Sequence, residues 1–286
     1  MTYVKPDQLI DSIVQAGVTK ASLGIGQLLA RGTLAGAILA CATTLAFTAS
    51  NQTHLGLVGA VIFPVGFVMI VILGLELVTG TFALIPLAVL EGRTTVKAMF
   101  RNFFFVIIGH LVGCAIYAAL YLATITRMGT DHSDPMIATI IDVAESKTIG
   151  YEALGISGLV LVFIKAILCN WMVTLGAILA FSSTSTGGKI LAMWLPVTMF
   201  FALGFEHAVV NMFVIPAGMV LGANVSFLDW WGWNQLPVLL GNFIGAVTLT
   251  GALLYFSHRT RVNRAVKDAE LDTLVAPIEE LEPSLR

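Results

Sequence analysis

Two apolar runs, residues 56 to 91 and 188 to 222, constrain this chain more than any other feature. Each is too long for one ordinary membrane-crossing helix, which needs about 20 apolar residues, and too short for two with a connecting loop. Each is also interrupted near its middle, by "GLELVTG" (74 to 80) and "GFEHAVVN" (204 to 211). Where a helix breaks in hydrocarbon, the freed N–H and C=O groups must find partners or face a water-lined cavity. Interrupted runs therefore imply a protein interior with something to line.

Four further runs, 32 to 49, 102 to 126, 154 to 182 and 236 to 257, each supply one span of conventional length. With 57% hydrophobic and 11% charged residues, the chain is outside the range of soluble globular domains and reads as a polytopic, all-α membrane protein. Its net charge of −2 says little, because in a membrane the placement of Lys and Arg carries the information. If each interrupted run crosses once, giving six transmembrane helices, one side receives Lys5, Lys20, Arg31, Arg93, Lys97, Arg101, Lys189, Arg259, Arg261, Arg264, Lys267 and Arg286. The other side receives only Arg127 and Lys147. That asymmetry predicts cytoplasmic termini, whereas splitting the first run into two crossings would place Arg93, Lys97 and Arg101 outside.

The halves also resemble each other. Glu76 and Glu206 are 130 residues apart, and Gly109 in "VIIGHLVG" and Gly241 in "VLLGNFIG" are 132 apart. Three spans per half force opposite orientations, so the chain is expected to be an inverted 3+3 repeat (about 32–127 and 154–257) with helices 2 and 5 broken. Paired broken helices at corresponding positions are a pointer to a binding or permeation site near the midplane.

The flanking segments are read more simply. Residues 1–31 carry Leu9, Ile10, Ile13, Val14 and Val18 at helical spacing and predict an amphipathic helix at the membrane interface, ahead of the channel domain at 32–257. Residues 258–286 form a cytoplasmic tail, first basic, then acidic and proline-containing. Trp230, Trp231 and Trp233 are expected at an outer aromatic belt. Cys41, Cys114 and Cys169 lack metal-ligand or disulfide-framework spacing and read as small buried residues.

Polar residues inside apolar segments are the candidate site. Glu76 and Glu206, with Thr79 and Asn211, are expected to cap the half-helices, since a carboxylate before a helix start accepts backbone N–H bonds and meets the positive dipole end. A proton relay is the other reading of the glutamates. His207 lies at the second break. A buried neutral ring satisfied by Glu206 or a carbonyl is one reading; an imidazole meeting a small anion and exchanging a proton is the one favoured here.

These segments, together with "ILCNWMV" (167 to 173), "LPVTMFFALGFEHAVVNMFVIPAGMVLGA" and "LLGNFIG", resemble the signature segments of the formate/nitrite transporter family over about residues 10 to 257. The resemblance implies an aquaporin-like fold and a homopentamer in a lipid bilayer, the cell inner (plasma) membrane, in which every protomer has its own pore. It implies a pore with His207 at its centre, Thr79 facing it and Asn170 beside the vestibule. Constrictions would be lined by Phe63, Phe67, Leu77, Val78, Val173 and Phe200. Val78 stands where relatives often carry Phe, and His110 where the first repeat usually has Asn; His110 is read as a satisfied structural group. Relatives often place an entrance Lys at the position of Leu154, and Lys147, seven residues upstream, is the candidate replacement. Lys165 reads as snorkelling or pairing at a subunit contact.

The implied function is transport of nitrite or formate, with a lean to nitrite because "GLELVTG" has Glu rather than Asp. Bicarbonate and hydrosulfide are alternatives within the family. A neutral-solute channel of the water and glycerol type is the alternative from another class, although paired NPA-type breaks are absent. An intramembrane enzyme finds little support, since neither a metal-ligand cluster nor a phosphate loop accompanies His207, and no cofactor or nucleic-acid partner is expected.

Overall fold

The computed structural model describes residues 2–258, so the acidic tail and all but the first residue of its basic segment lie outside the described residues. The fold is all-helical. Helix α1 (Pro6–Ser22) precedes α2 (Ile25–Thr53), α3 (Gly56–Ile62), α4 (Pro64–Ile72), α5 (Val78–Leu90) and α6 (Val96–Ile125). The second half contains α7 (Pro135–Ser146), α8 (Ile149–Glu152), α9 (Ile156–Leu179), α10 (Thr186–Ala202) and α11 (Ala208–Leu221), and a last helical run, α12 (Phe227–His258). Four of these, α2, α6, the run from α9 to Ser182, and α12, are long and apolar enough to cross a bilayer; the shorter apolar helices are Gly56–Ile72, Val78–Leu90, Thr186–Ala202 and Ala208–Leu221.

Helix α1 is amphipathic, but its apolar stripe faces protein. Ile10, Ile13 and Val14 are buried against Leu84, Leu87, Ala88 and Ile178, so packing on α5 and α9, rather than insertion at a lipid surface, satisfies it. It is also shorter than the expected 1–31, because extended backbone at Leu23 and Gly24 ends it and residues 25–31 already belong to α2.

The two breaks have the same geometry. Gly74 and Gly204 each have φ +64°, the left-handed conformation that ends a helix and is nearly free only for glycine. In both, the glycine N–H and the next N–H close back on the preceding turn: Gly74 to Val71 and Leu75 to Ile70, Gly204 to Phe201 and Phe205 to Phe200, all at 3.0–3.1 Å. Three residues later Leu77 (φ −118°, ψ 112°) and His207 (φ −112°, ψ 117°) are extended and open the second half-helices. Pro86 and Pro216 then occupy matching places inside α5 and α11.

Long helices approach closely at small residues. A Cβ on Gly109 would lie 2.8 Å from Leu29 O, and one on Gly241 would lie 2.7 Å from Phe163 O. Helix α12 contains two wide π-type turns, Trp230–Gln235 and Ala246–Ala252, of the kind often found at functional sites; the first turns Asn234 inward. Trp230 is buried and donates to Gln235 Oε1 at 3.0 Å, which removes it from the expected aromatic belt: its indole N–H has found a protein partner. Cys114 and Cys169 are buried as expected, but Cys41 is exposed on α2.

Candidate functional site

The two breaks meet at one contact. Thr79 Oγ1, on the first turn of α5, lies 3.1 Å from His207 Nε2. Val210 N donates to His207 Nδ1 at 3.3 Å, so a neutral ring carries its proton on Nε2 and donates to Thr79. Phe200 stacks on the imidazole with centroids 5.5 Å apart and planes 21° from parallel. Asn170 Nδ2 donates to Thr79 O at 3.0 Å and Asn242 O at 2.7 Å, holding the first break against α9 and α12.

The first N–H of each half-helix is met from another helix rather than by the glutamate beside it, and His207 caps α11 further by accepting from Val210 N. Val78 N donates to His110 Nε2 at 3.1 Å, while His110 Nδ1 bonds Gly32 O at 2.8 Å. In the second half Ala208 N donates to Asn242 Oδ1 at 2.9 Å, and Asn242 Nδ2 donates to Ala166 O at 2.8 Å and Glu206 O at 2.9 Å. His110 and Asn242 are 132 residues apart and perform the same task with different chemistry. The expectation that Glu76, Glu206 and Asn211 do the capping is corrected here, because lysines compete for the carboxylates.

Lys20 Nζ lies 2.7 Å from Glu76 Oε1, and Lys147 Nζ lies 2.7 Å from Glu206 Oε2. Both carboxylates are buried, and a buried carboxylate requires such a partner. The pairs are not equal. Glu206 also accepts from Tyr151 OH at 2.7 Å, Asn211 Nδ2 at 2.8 Å and Asn234 Nδ2 at 3.4 Å. Glu76 Oε2 has no hydrogen-bond partner among the described residues. Lys165 reaches Tyr151, its Nζ 3.4 Å from the hydroxyl and 5.8 Å from the ring centroid, so it joins the Glu206 network rather than standing apart on the outside of span 4.

Two cavities flank the Thr79–His207 contact. One, of about 210 Å³, is lined by Lys20, Phe67, Ile70, Leu77 and Gly80 among others; the second, of about 190 Å³, by Lys147, Phe200, Phe201, Phe205, His207 and Val210 among others. A shift of 130 positions carries Ile70, Val71, Gly74, Leu75, Leu77 and Gly80 of the first onto Phe200, Phe201, Gly204, Phe205, His207 and Val210 of the second. Of the residues expected at constrictions, Phe67, Leu77 and Phe200 line these cavities, whereas Phe63, Val78 and Val173 are buried without lining either. Phe63 supports the aromatic wall from behind, stacked on Phe201 at 4.2 Å and edge-on to Phe200 at 5.6 Å. Asn170 lines neither cavity and works through the backbone. Sequence reasoning missed Lys20, Tyr151, Asn234 and Asn242. Lys20 could have been found by the repeat, since it precedes Glu76 by 56 residues where Lys147 precedes Glu206 by 59.

Comparison with known proteins adds an independent line. Residues 7–256 match the family model described as formate/nitrite transporter. Over 278 residues the chain is 34% identical to the uncharacterized transporter YrhG of Bacillus subtilis, covering 94% of this chain and 98% of that protein. Over 209 residues it is 36% identical to a probable formate transporter of Methanothermobacter thermautotrophicus, covering 71% and 75%. Among solved structures, an FNT family ion channel superposes with TM-score 0.73 at 25% identity, over 87% of this chain and 98% of that one. A pentameric formate channel with formate bound superposes with TM-score 0.68 at 24% identity, over 82% and 97%.

Proposed function

The chain belongs to the formate/nitrite transporter family, and we propose that it carries formate or nitrite through a pore that passes the Thr79–His207 contact. One observation carries this reading: a titratable ring hydrogen-bonded to a threonine at 3.1 Å, between two cavities that each include a lysine in their lining.

In this reading the chain crosses the membrane six times, α3–α4 with α5 making the second crossing and α10 with α11 the fifth. Helix α1 and the end of α12 lie on the cytoplasmic side, as the basic residues require. Five copies assemble, each with its own pore, an arrangement supported by the fold shared with the pentameric formate channel. Formate takes precedence over nitrite as the first substrate to test, because the Methanothermobacter relative is named for it; the lean to nitrite rested on Glu76 alone, and Glu76 is held in an ion pair with Lys20.

A bare anion cannot cross the aromatic wall cheaply, because removing a charge from water is costly. Lys20 and Lys147 lower that cost at the mouths. Deeper in, the falling dielectric favours the neutral acid, and His207 supplies or shares the proton through Nε2, with Thr79 Oγ1 accepting when the ring is neutral. The site offers a neutral solute no reason for these charges, which sets the glycerol-channel alternative behind. Bicarbonate and hydrosulfide fit the same chemistry and belong in the same assay.

Purified protein in liposomes, loaded with formate and then with nitrite, tests this directly. The His207→Phe variant keeps the ring's shape and should lose flux by about a hundredfold, the lower end of what a positioned acid–base group contributes, together with its pH dependence. Unchanged flux and pH profile in a correctly folded variant would refute the role of the imidazole.

A further inference from the structure

The two halves differ most where they should match. Gly32 O and Ala166 O receive equivalent bonds from His110 and Asn242, so position 31 of α2 corresponds to position 165 of α9, and Arg31 to Lys165. Likewise Gly24 follows Lys20 by four residues as Tyr151 follows Lys147. In the second half, Tyr151 stands between Lys165 and Glu206 and engages both. In the first half the residue four positions after Lys20 is Gly24, and no tyrosine joins the Lys20–Glu76 pair. Glu76 Oε2 is left unpartnered, and Arg31 makes only a 3.3 Å bond to Gly74 O, with no ion pair among the described residues.

Beside them lies an open-mouthed chamber of about 470 Å³, lined by Ser12, Gln15, Thr19, Lys20, Arg31 and Glu76 among others. It shares Lys20, Gly74 and Phe181 with the cavity beneath Leu77 and so leads into the proposed pore. Its lining holds two cations against one carboxylate, and Lys20 is committed to that carboxylate. The excess charge is Arg31, whose planar fork of donors suits a carboxylate or similar small oxyanion. At the opposite mouth, Lys147 is the one charged side chain among the described lining and is held by Glu206, within aromatic walls.

We propose that this chamber is an anion-binding antechamber centred on Arg31, so that the two mouths of the pore bind the permeating anion unequally. The proposal rests on the transport reading above and adds a sided recognition site to it. A permeating formate would reach Arg31 before the apolar segment, exchanging water for guanidinium donors while still charged.

Two measurements test it. In oriented proteoliposomes, Arg31→Gln should raise the half-saturating formate concentration on the α1 side about three- to tenfold, the scale of one partly screened charge at a mouth. The opposite side should keep its value, and Arg31→Lys should retain most of the wild-type affinity. An equal change on both sides, or none on the α1 side, overturns the proposal. Independently of flux, a Thr19→Cys probe in a Cys41→Ser background reports the chamber's potential through its relative reaction rates with anionic and cationic methanethiosulfonates. Arg31→Gln should lower the anionic-to-cationic ratio by a similar factor, and an unchanged ratio would also overturn it. If wild-type protein carries neither formate nor nitrite, the transport reading fails, while the labelling ratio still decides whether the chamber attracts anions.

Discussion

The difference between Glu76 and Glu206 is a matter of how many donors each carboxylate holds. Glu206 accepts from four side chains and Glu76 from one. Deleting Glu206 therefore removes an acceptor from Lys147, Tyr151, Asn211 and Asn234 at once. Deleting Glu76 removes one from Lys20 alone, and the two lysines are similarly exposed, 22% for Lys20 and 18% for Lys147. The loss of an ion pair is thus common to both deletions, and each further hydrogen bond to the carboxylate that is lost adds about 1–3 kcal/mol. Glu206→Ala should consequently lower the thermal unfolding midpoint in detergent clearly more than Glu76→Ala. Equal shifts would mean that the additional donors contribute nothing.

At the scale of the helical element, what matters is who caps a half-helix that begins inside the protein. His110 and Asn242 accept the first N–H of α5 and α11 respectively, and each also donates to a neighbouring helix, so each ties three helices at one point. Because Asn242 performs this task with an amide, His110→Asn should fold and keep most of its stability. His110→Leu leaves Val78 N–H without a partner in a fully buried place, at about 1–3 kcal/mol, and should disorder the turn that carries Thr79. Thermal unfolding of the two variants, with formate flux alongside, distinguishes them; a leucine variant as stable as the asparagine one would show that the cap is dispensable. Here lies the boundary of what the sequence could reveal. Gly74, Gly204 and the 130-residue spacing of the breaks were legible because helix-ending glycines and repeat offsets are local signals. The caps were not, because Val78 and Ala208 find partners 32 and 34 residues further along the chain, and nothing near the break announces them. Assigning the cap to the adjacent glutamate followed the local rule; lysines from α1 and from the segment after α7 had the stronger claim on those carboxylates.

For the whole molecule, the arrangement of charge along the proposed path dictates what can be moved and by which force. Lysines stand in both cavities, yet the segment between them offers Phe67, Leu77, Thr79, His207 and Phe200, with no fixed charge among these residues to carry an anion through. If an acid crosses that segment only as a neutral molecule, anion and proton travel together and no net charge moves. Formate uptake into liposomes should then accelerate when the outside is made acidic, since more of the anion arriving at the mouth can cross protonated, and should reverse direction when the pH difference is inverted. A potassium diffusion potential set by valinomycin at equal pH should leave the flux unchanged. A flux that follows the voltage and ignores the pH difference would mean that the anion crosses bare. The Thr79–His207 contact would then be a hydrogen-bonding constriction rather than a point of proton exchange, and the basic residues at the two mouths would have to offset the cost of dehydrating a charge in a passage walled by phenylalanine.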